Sequence, residues 1–324
     1  MLLLMTQLPQ RQLGTSDIFI TPVGIGTAPL ASTPDWNIYW GPQDENEAIR
    51  AIQTAVDLGI NWIDTAPFYG WGRGERIVGQ AIQGRRDQVF IFTKCGTLRD
   101  ENKQWYESLK PASIRHEVES SLRNLQIETI DLYQFHDPDP NTPIEESWAT
   151  VQDLIAEGKV RYAGLSNHTV DLMERAAAVA PITSNQHQYS LLYQKEASGI
   201  LPYSQQHNIA VLAWSPLASG FLVDGFALGK LDADDFRHRH WLAQPERHTH
   251  LQEVRSKLLA IAHDHGRTLR ELAIAWVLAH TAVTAAIIGI RNEQEARQIA
   301  DGVNWQLAEE TKQAIEEVMQ IWQL

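Results

Sequence analysis

Eight short apolar runs recur along the chain, each long enough for a strand, with stretches of helical periodicity between them. The runs cover residues 23–26, 61–64, 89–94, 130–136, 160–166, 182–186, 209–214 and 285–288. The stretches between them carry helix punctuation. In "DENEAIRAIQTAVDLG", Asp44 is an N-cap with Glu47 three residues on. Ile49, Ile52 and Val56 share one face, and Gly59 is the stop. "SIRHEVESSLRNL" puts Ile114, Val118, Leu122 and Leu125 on one face behind Pro111, and "PIEESWATVQDLIAEG" stops at Gly158. Strands joined by helical crossovers run parallel, so the alternation predicts an α/β protein.

Eight such units suggest a single closed (β/α)8 TIM barrel, which needs about 250 residues. The surplus of this 324-residue chain sits in three places. "RQLGTSDIFIT" predicts an N-terminal β-hairpin cap with Gly14 near its turn. "LASGFLVDGFALGKLDADDFRHRHWLAQPER" predicts a long loop after strand 7, and "NWQLAEETKQAIEEVMQIWQL" an extra C-terminal helix. With no linker, low-complexity segment or repeat, residues 1–324 read as one domain. The second architecture is an open doubly wound sheet, but "GIGT" at residues 24–27 falls short of the G-x-G-x-x-G such a sheet carries for dinucleotides.

Composition narrows the function. A net charge of −13 disfavours nucleic acid or an anionic membrane as a partner. Cys95, the single cysteine, leaves no intramolecular disulfide and fits a reducing compartment. The start "MLLLMTQLPQ" lacks the basic region of a signal peptide, and no run approaches the roughly 20 apolar residues of a membrane span. A soluble, cytoplasmic protein is expected.

In a barrel of this kind the chemistry sits where strands end. Here those ends read Asp64, Lys94, His136, Ser166 with Asn167, Gln186, and Trp214 with Ser215, and Tyr69 lies on the glycine-rich loop after Asp64. Singly, each is more often a cap, a turn residue or a solvated strand end than a catalytic group. In order at separate strand ends, they suggest a proton-donating centre. A tyrosine hydroxyl, with a pKa near 10, is a weak acid at neutral pH. A lysine ammonium beside it favours the phenolate and lowers that value. Asp64 would hold Lys94 charged, Lys94 would serve Tyr69, and His136 would orient a carbonyl. Trp36, Trp40 and Trp71 fall in loops near the mouth, where they read as rim packing or, in this loop context, as substrate-pocket wall. Substrate choice is expected to rest on residues 32–42, 97–110 and 224–247. Cys95 follows Lys94, so alternation turns it away as a packed thiol. The pairs His238/His240, His248/His250 and His263/His265 are read as surface histidines, and no metal site is expected.

Over nearly its whole length the sequence resembles the aldo-keto reductase family. The pieces that carry this are "GIGTAPL", "NWIDTAPFYG" with "GERIVGQAI", "IFTKCG", "SLRNLQIETIDLYQFHDPDP", "LIAEGKVRYAGLSNH", "NQHQYSLL", "LAWSPLASGFL" and "IIGIRNEQEA", in the family's order. The resemblance implies a (β/α)8 barrel that reduces aldehydes and ketones with NADPH. It implies Tyr69 as general acid, with Asp64, Lys94 and His136 as partners. It places Ser166, Asn167 and Gln186 on the nicotinamide carboxamide, Trp214 on the nicotinamide ring, and Ser215, Leu217 and Gly220 along the pyrophosphate. Arg291, after Gly289, falls at the adenosine 2′-phosphate, and Thr27 and Glu295 complete the expected cofactor set. The sequence departs from the family pattern at Gly225, where many relatives have lysine. It departs again at Glu295 and Ile299, where a glutamine and an asparagine are common. NADH therefore stays open as a second cofactor. Two other roles fit the residues less well. One is a Schiff-base lyase or aldolase using Lys94. The other is a cofactor-binding regulatory subunit of a membrane channel, a role known among relatives of this fold.

Overall fold

The computed structural model describes residues 8–322. Strands β1 (Arg11–Gln12) and β2 (Phe19–Ile20) form the expected antiparallel hairpin around Gly14. The chain then alternates as its pattern requires. It runs β3 (Val23–Gly26), α1 (Glu45–Asp57), β4 (Trp62–Asp64), α2 (Arg73–Ala81) and β5 (Phe90–Cys95). A second hairpin follows, β6 (Thr97–Arg99) with β7 (Trp105–Glu107), and then α3 (Pro111–Leu125), β8 (Ile130–Phe135) and α4 (Ile144–Ala156). The next elements are β9 (Val160–Ser166), α5 (Val170–Ala177), β10 (Ser184–Gln188), α6 (Ile200–Gln206) and β11 (Ala210–Trp214). After the long loop come α7 (Pro245–Asp264), α8 (Leu269–Ala279), β12 (Val283–Gly289), α9 (Glu293–Asp301) and α10 (Glu309–Trp322). Strands β3, β4, β5, β8, β9, β10, β11 and β12 pair in that order, parallel, and close into a barrel. They coincide with the eight apolar runs except at their ends. Asp44 caps α1 by accepting from Glu47 N at 2.8 Å.

Three sequence expectations meet limits here. Met1–Gln7 of the apolar start and the last two residues of the C-terminal helix lie outside the described residues. The substrate loop 97–110 contains the β6–β7 hairpin, which short alternating runs without an Asn-Gly or Asp-Gly turn did not signal. Among the described residues, no helix is long and apolar enough to cross a membrane.

The two-residue period of the strands sorts side chains between two cores. Outward-facing Ile63, Ile91, Cys95, Tyr133 and Phe135 pack under the helices. Cys95 thus points away from Lys94, as alternation requires. Inward-facing Trp62, Phe92, Leu132 and Leu212 fill the barrel, and Leu13, Ile18 and Ile20 from the first hairpin pack with them. The hairpin therefore plugs the N-terminal end of the barrel, leaving the C-terminal end open.

Gly24 is fixed by this packing. A Cβ there would lie 2.1 Å from the fully buried Trp62 ring, whose Nε1 donates to Thr21 O at 2.9 Å. Overpacking of this kind costs about 1–3 kcal/mol. Gly24→Ala should lower the denaturation midpoint accordingly, and adding Trp62→Leu should return part of the loss. An unchanged midpoint in Gly24→Ala would contradict the close approach.

Candidate active site

Two residues beyond Trp62, Phe92 and Leu132, the same inward parity brings up Asp64, Lys94 and Gln134. Gln186 arrives on β10, paired with Ser166 on β9. An apolar layer thus gives way to a polar one at the open end. Lys94 is fully buried. Its Nζ donates to Asp64 Oδ1 at 2.5 Å, Thr65 O at 3.1 Å and Tyr69 Oη at 3.2 Å. An ammonium has three N–H groups, so all are used. Asp64 Oδ2 accepts from Gln186 Nε2 at 2.9 Å and Gln134 Nε2 at 3.3 Å, and Gln186 Nε2 also lies 3.2 Å from Gln134 Oε1. A buried ion pair is stable only when such hydrogen bonds satisfy its remaining lone pairs. Gln134 was not among the sequence candidates. Its signal was legible, a polar side chain of inward parity inside the apolar run "IDLYQF".

Tyr69 is delivered by the turn after β4. Tyr69 N donates to Ala66 O and Gly74 N to Tyr69 O, with Gly70 at φ +57° between them. A Cβ on Gly70 would lie 2.2 Å from Ala31 O, so only glycine lets the loop bend the tyrosine over the mouth. One expectation is corrected. Burial raises the Tyr69 hydroxyl above its ordinary value, outweighing the downward pull of Lys94, and Asp64 adds to the rise. Tyr69 is a protonated phenol at neutral pH. Lys94 is pushed down by burial, but Asp64 and Tyr69 more than offset this and raise it overall. It is therefore held as an ammonium, which is unsuited to Schiff-base attack.

His136 packs edge-on to Tyr69 with ring centroids 5.7 Å apart. Burial, and then Lys94, push its imidazole well below the ordinary value, so it is neutral. Asn167 sits at φ +60°, a left-handed position that asparagine tolerates. Its Nδ2 donates to His136 O at 3.2 Å and Asp137 Oδ1 at 2.8 Å, while its Oδ1 accepts from Trp214 Nε1 at 3.1 Å. Asn167 thus ties three strand ends together.

These residues face a cavity of about 780 Å³ at the open end of the barrel. Of the sequence candidates, Asp64, Tyr69, His136, Ser166, Asn167, Gln186 and Trp214 line it. So do Ser215, Leu217, Gly220, Gly289, Arg291, Glu295, Trp36 and Trp40. Two candidates are corrected. Thr27 is fully buried beneath the cavity, with its hydroxyl 3.1 Å from Asp64 O and 2.8 Å from Thr65 Oγ1, holding β3 to β4. Trp71 lies behind Phe68 at a centroid distance of 5.4 Å, with its Nε1 bonded to Asp35 O and Arg99 over its ring. His240 is also no surface histidine. It lines the cavity against Phe221 and Phe236, and burial pulls it down to about 4.

The cavity suits an extended phosphorylated cofactor. At Ser215, Ala218, Ser219 and Gly220 the backbone takes φ of +56°, +48°, +56° and +87°. Left-handed turns of this kind form concavities of N–H groups that hold anions. Arg237, Arg270 and Arg291 also line the cavity, Arg237 being held in a bidentate pair with the Asp235 carboxylate. The Arg291 guanidinium donates to Gln43 Oε1, Trp40 O and Pro42 O, so part of it fastens the loop after β3. Glu295 accepts from Arg291 N at 2.8 Å. Arg237 and Arg270, like Asp137, Trp105 and Glu107, are cavity residues that the sequence reading missed, because each reaches the mouth from a loop, the start of a helix or an inserted hairpin.

Comparison with known proteins agrees with this geometry. Residues 22–320 match the profile of the Aldo/keto reductase family. The chain is 34% identical to the Aldo-keto reductase YhdN of Bacillus subtilis, covering 92% of this chain and 89% of that one. It is 31% identical to the NADH-specific methylglyoxal reductase of Escherichia coli, covering 92% and 94%. Among solved structures, the glycerol dehydrogenase AKR11B4 from Gluconobacter oxydans superposes with a TM-score of 0.87 at 33% identity, covering 95% and 94%. The holo form of aldo-keto reductase AKR11C1 from Bacillus halodurans gives 0.81 at 30% identity, covering 96% of each chain. With a barrel, a strand-end constellation and a match over most of its length in agreement, the chain belongs to the aldo-keto reductase family.

Proposed function

We propose that the protein interconverts an aldehyde or ketone with its alcohol, with Tyr69 as the proton donor in reduction and a nicotinamide dinucleotide, NADPH in preference to NADH, as hydride source. The observation that carries this reading is the direction of one hydrogen bond. Lys94 Nζ donates to Tyr69 Oη, and the tyrosine's own O–H has no acceptor among the described residues. That hydroxyl is the proton available to the cavity.

The residues divide the work. When bound, the cofactor supplies the hydride that adds to the carbonyl carbon. Tyr69 donates its proton to the carbonyl oxygen as negative charge develops there. Lys94 stabilises the phenolate left behind, and Asp64 keeps Lys94 charged and in place. Neutral His136 is placed to hydrogen-bond the carbonyl oxygen. A proton donor and an ammonium aimed at developing charge in a dry site are worth more than in water. Arg291 on the cavity wall supports a cofactor bearing an extra phosphate, since Arg pairs well with that group. Nothing favours the Lys94 lyase or the channel-subunit role over this.

Tyr69→Phe should lower turnover by about 10²–10⁴-fold, the usual contribution of a general acid. Its cofactor affinity, read by tryptophan fluorescence, should stay within about twofold, a difference well under the ~1.4 kcal/mol of a tenfold change. Turnover close to wild type would remove Tyr69 from its role. Titration of the wild type should show NADPH binding at least about tenfold tighter than NADH, as a charge-assisted contact implies, and Arg291→Ala should narrow that gap. Equal affinities would keep the reductase and discard the 2′-phosphate contact.

A further inference from the structure

Gln134 lies on β8, level with Lys94 on β5 and with Gly164 on β9. Gln186 lies one strand further, on β10. A Cβ on Gly164 would lie 3.2 Å from Gln134 Cγ and 2.3 Å from Ser184 Oγ. Glycine at this inward position of β9 thus leaves room for Gln134 to reach past that strand. Gln134 is fully buried, while Gln186 lines the cavity. Asp64 dictates how the two amides are turned. A carboxylate oxygen only accepts, so an amide beside it must present its nitrogen. Asp64 Oδ2 takes Gln186 Nε2 at 2.9 Å and Gln134 Nε2 at 3.3 Å. With its nitrogen on Asp64, Gln134 offers Oε1 to the other N–H of Gln186, at 3.2 Å. Both N–H groups of Gln186 are then used, and its Oε1 is what remains. That oxygen has no donor among the described residues and is not among the buried unpaired atoms, so it opens on the cavity.

We infer that Gln134 is a positioning residue for the cofactor: it fixes the Gln186 amide so that Oε1 faces the cavity as an acceptor for the carboxamide N–H of the nicotinamide. The inference rests on the carbonyl-reductase reading. The reacting ring of such a cofactor carries one kind of N–H donor, its carboxamide, which suits an acceptor standing open beside the Lys94–Asp64 pair. Gln134 touches neither cofactor nor substrate and acts through Gln186. Asp64 alone holds one edge of the Gln186 amide and leaves its plane free to turn. Removing the Gln134 oxygen strips the second N–H of Gln186 of its acceptor. An unpaired buried donor costs more than the bond contributed, so the amide turns that N–H to the cavity and withdraws Oε1. A Gln134 that only filled space or satisfied Asp64 would, when replaced, weaken every cofactor alike.

The test compares NADP+ and NAD+, each with its 3-acetylpyridine analogue, in which a methyl replaces the carboxamide NH2. The readout is the dissociation constant by tryptophan fluorescence. Wild type should bind the carboxamide form on the order of tenfold more tightly than its analogue, because the analogue leaves the Gln186 oxygen unpaired. In Gln134→Leu, and in Gln134→Met, which keeps the side-chain length without an amide, that ratio should fall to about threefold or less. Only folded protein binds, so partial misfolding of a variant changes the signal amplitude and not the ratio. Equal binding of carboxamide and analogue by wild type, or a wild-type ratio kept in both variants, overturns the positioning role and leaves the reductase standing. Binding of none of the four by wild type overturns both.

Discussion

The buried pair of Lys94 and Asp64 sets the terms for the rest of this end of the barrel. Moving an ammonium and a carboxylate out of water is expensive, and removing one partner of such a pair typically costs 3–5 kcal/mol, about a third or more of the stability of many domains. The barrel meets that cost with neighbours whose polar groups are already fixed. Gln134 and Gln186 close on the free oxygen of Asp64, and Thr65 O and Tyr69 take the remaining lysine protons. The apolar layer of Trp62, Phe92 and Leu132 beneath keeps water from entering by the other end. The hairpin carrying Leu13, Ile18 and Ile20 completes that seal. Packing at the bottom of the barrel and chemistry at its top are therefore linked. A charge this deep would hydrate or neutralise without the plug.

In the proposed reaction the pair also bears on which group carries the transferable proton. Burial raises Tyr69 and depresses His136, so one is protonated and the other neutral over the same neutral range. Two groups whose environments move them apart in this way have distinct roles. Lys94 fills the acceptor side of Tyr69, which leaves the phenol O–H as the donor in that proposal. Asn167 then connects this centre outward, joining the backbone at His136, the Asp137 carboxylate and the Trp214 indole. A change in any of these three would be felt at the others.

Much of this was legible from period and parity. Asp64, Lys94, His136 and Gln186 were legible as the polar ends of apolar runs, alternation turned Cys95 away, and the same parity marks Gln134. Side chains on loops were harder. Trp36 and Trp71 lie on neighbouring loops with similar surroundings in sequence, yet one lines the cavity and the other stacks behind Phe68. That outcome depends on the fold of the turn between them. Arg291 lies on the cavity wall, but nothing local announces that its guanidinium also fastens the carbonyls of Trp40 and Pro42 from a distant loop. The direction in which Tyr69 is shifted was misjudged for a related reason. A neighbouring charge is visible in the sequence as a candidate, whereas desolvation is a property of everything packed around the hydroxyl.

The most direct measurement is the pH dependence of the hydride step in a single turnover with cofactor bound, identified by a deuterated nicotinamide. With a phenol raised above its ordinary value as the acid, the rate of reduction should be flat from about pH 7.5 to about pH 9. It should fall only beyond that, as Tyr69 loses its proton. A decline centred near neutral pH would contradict this, because the proton would then come from a group of histidine-like acidity and the Lys94–Asp64 pair would not govern the chemistry.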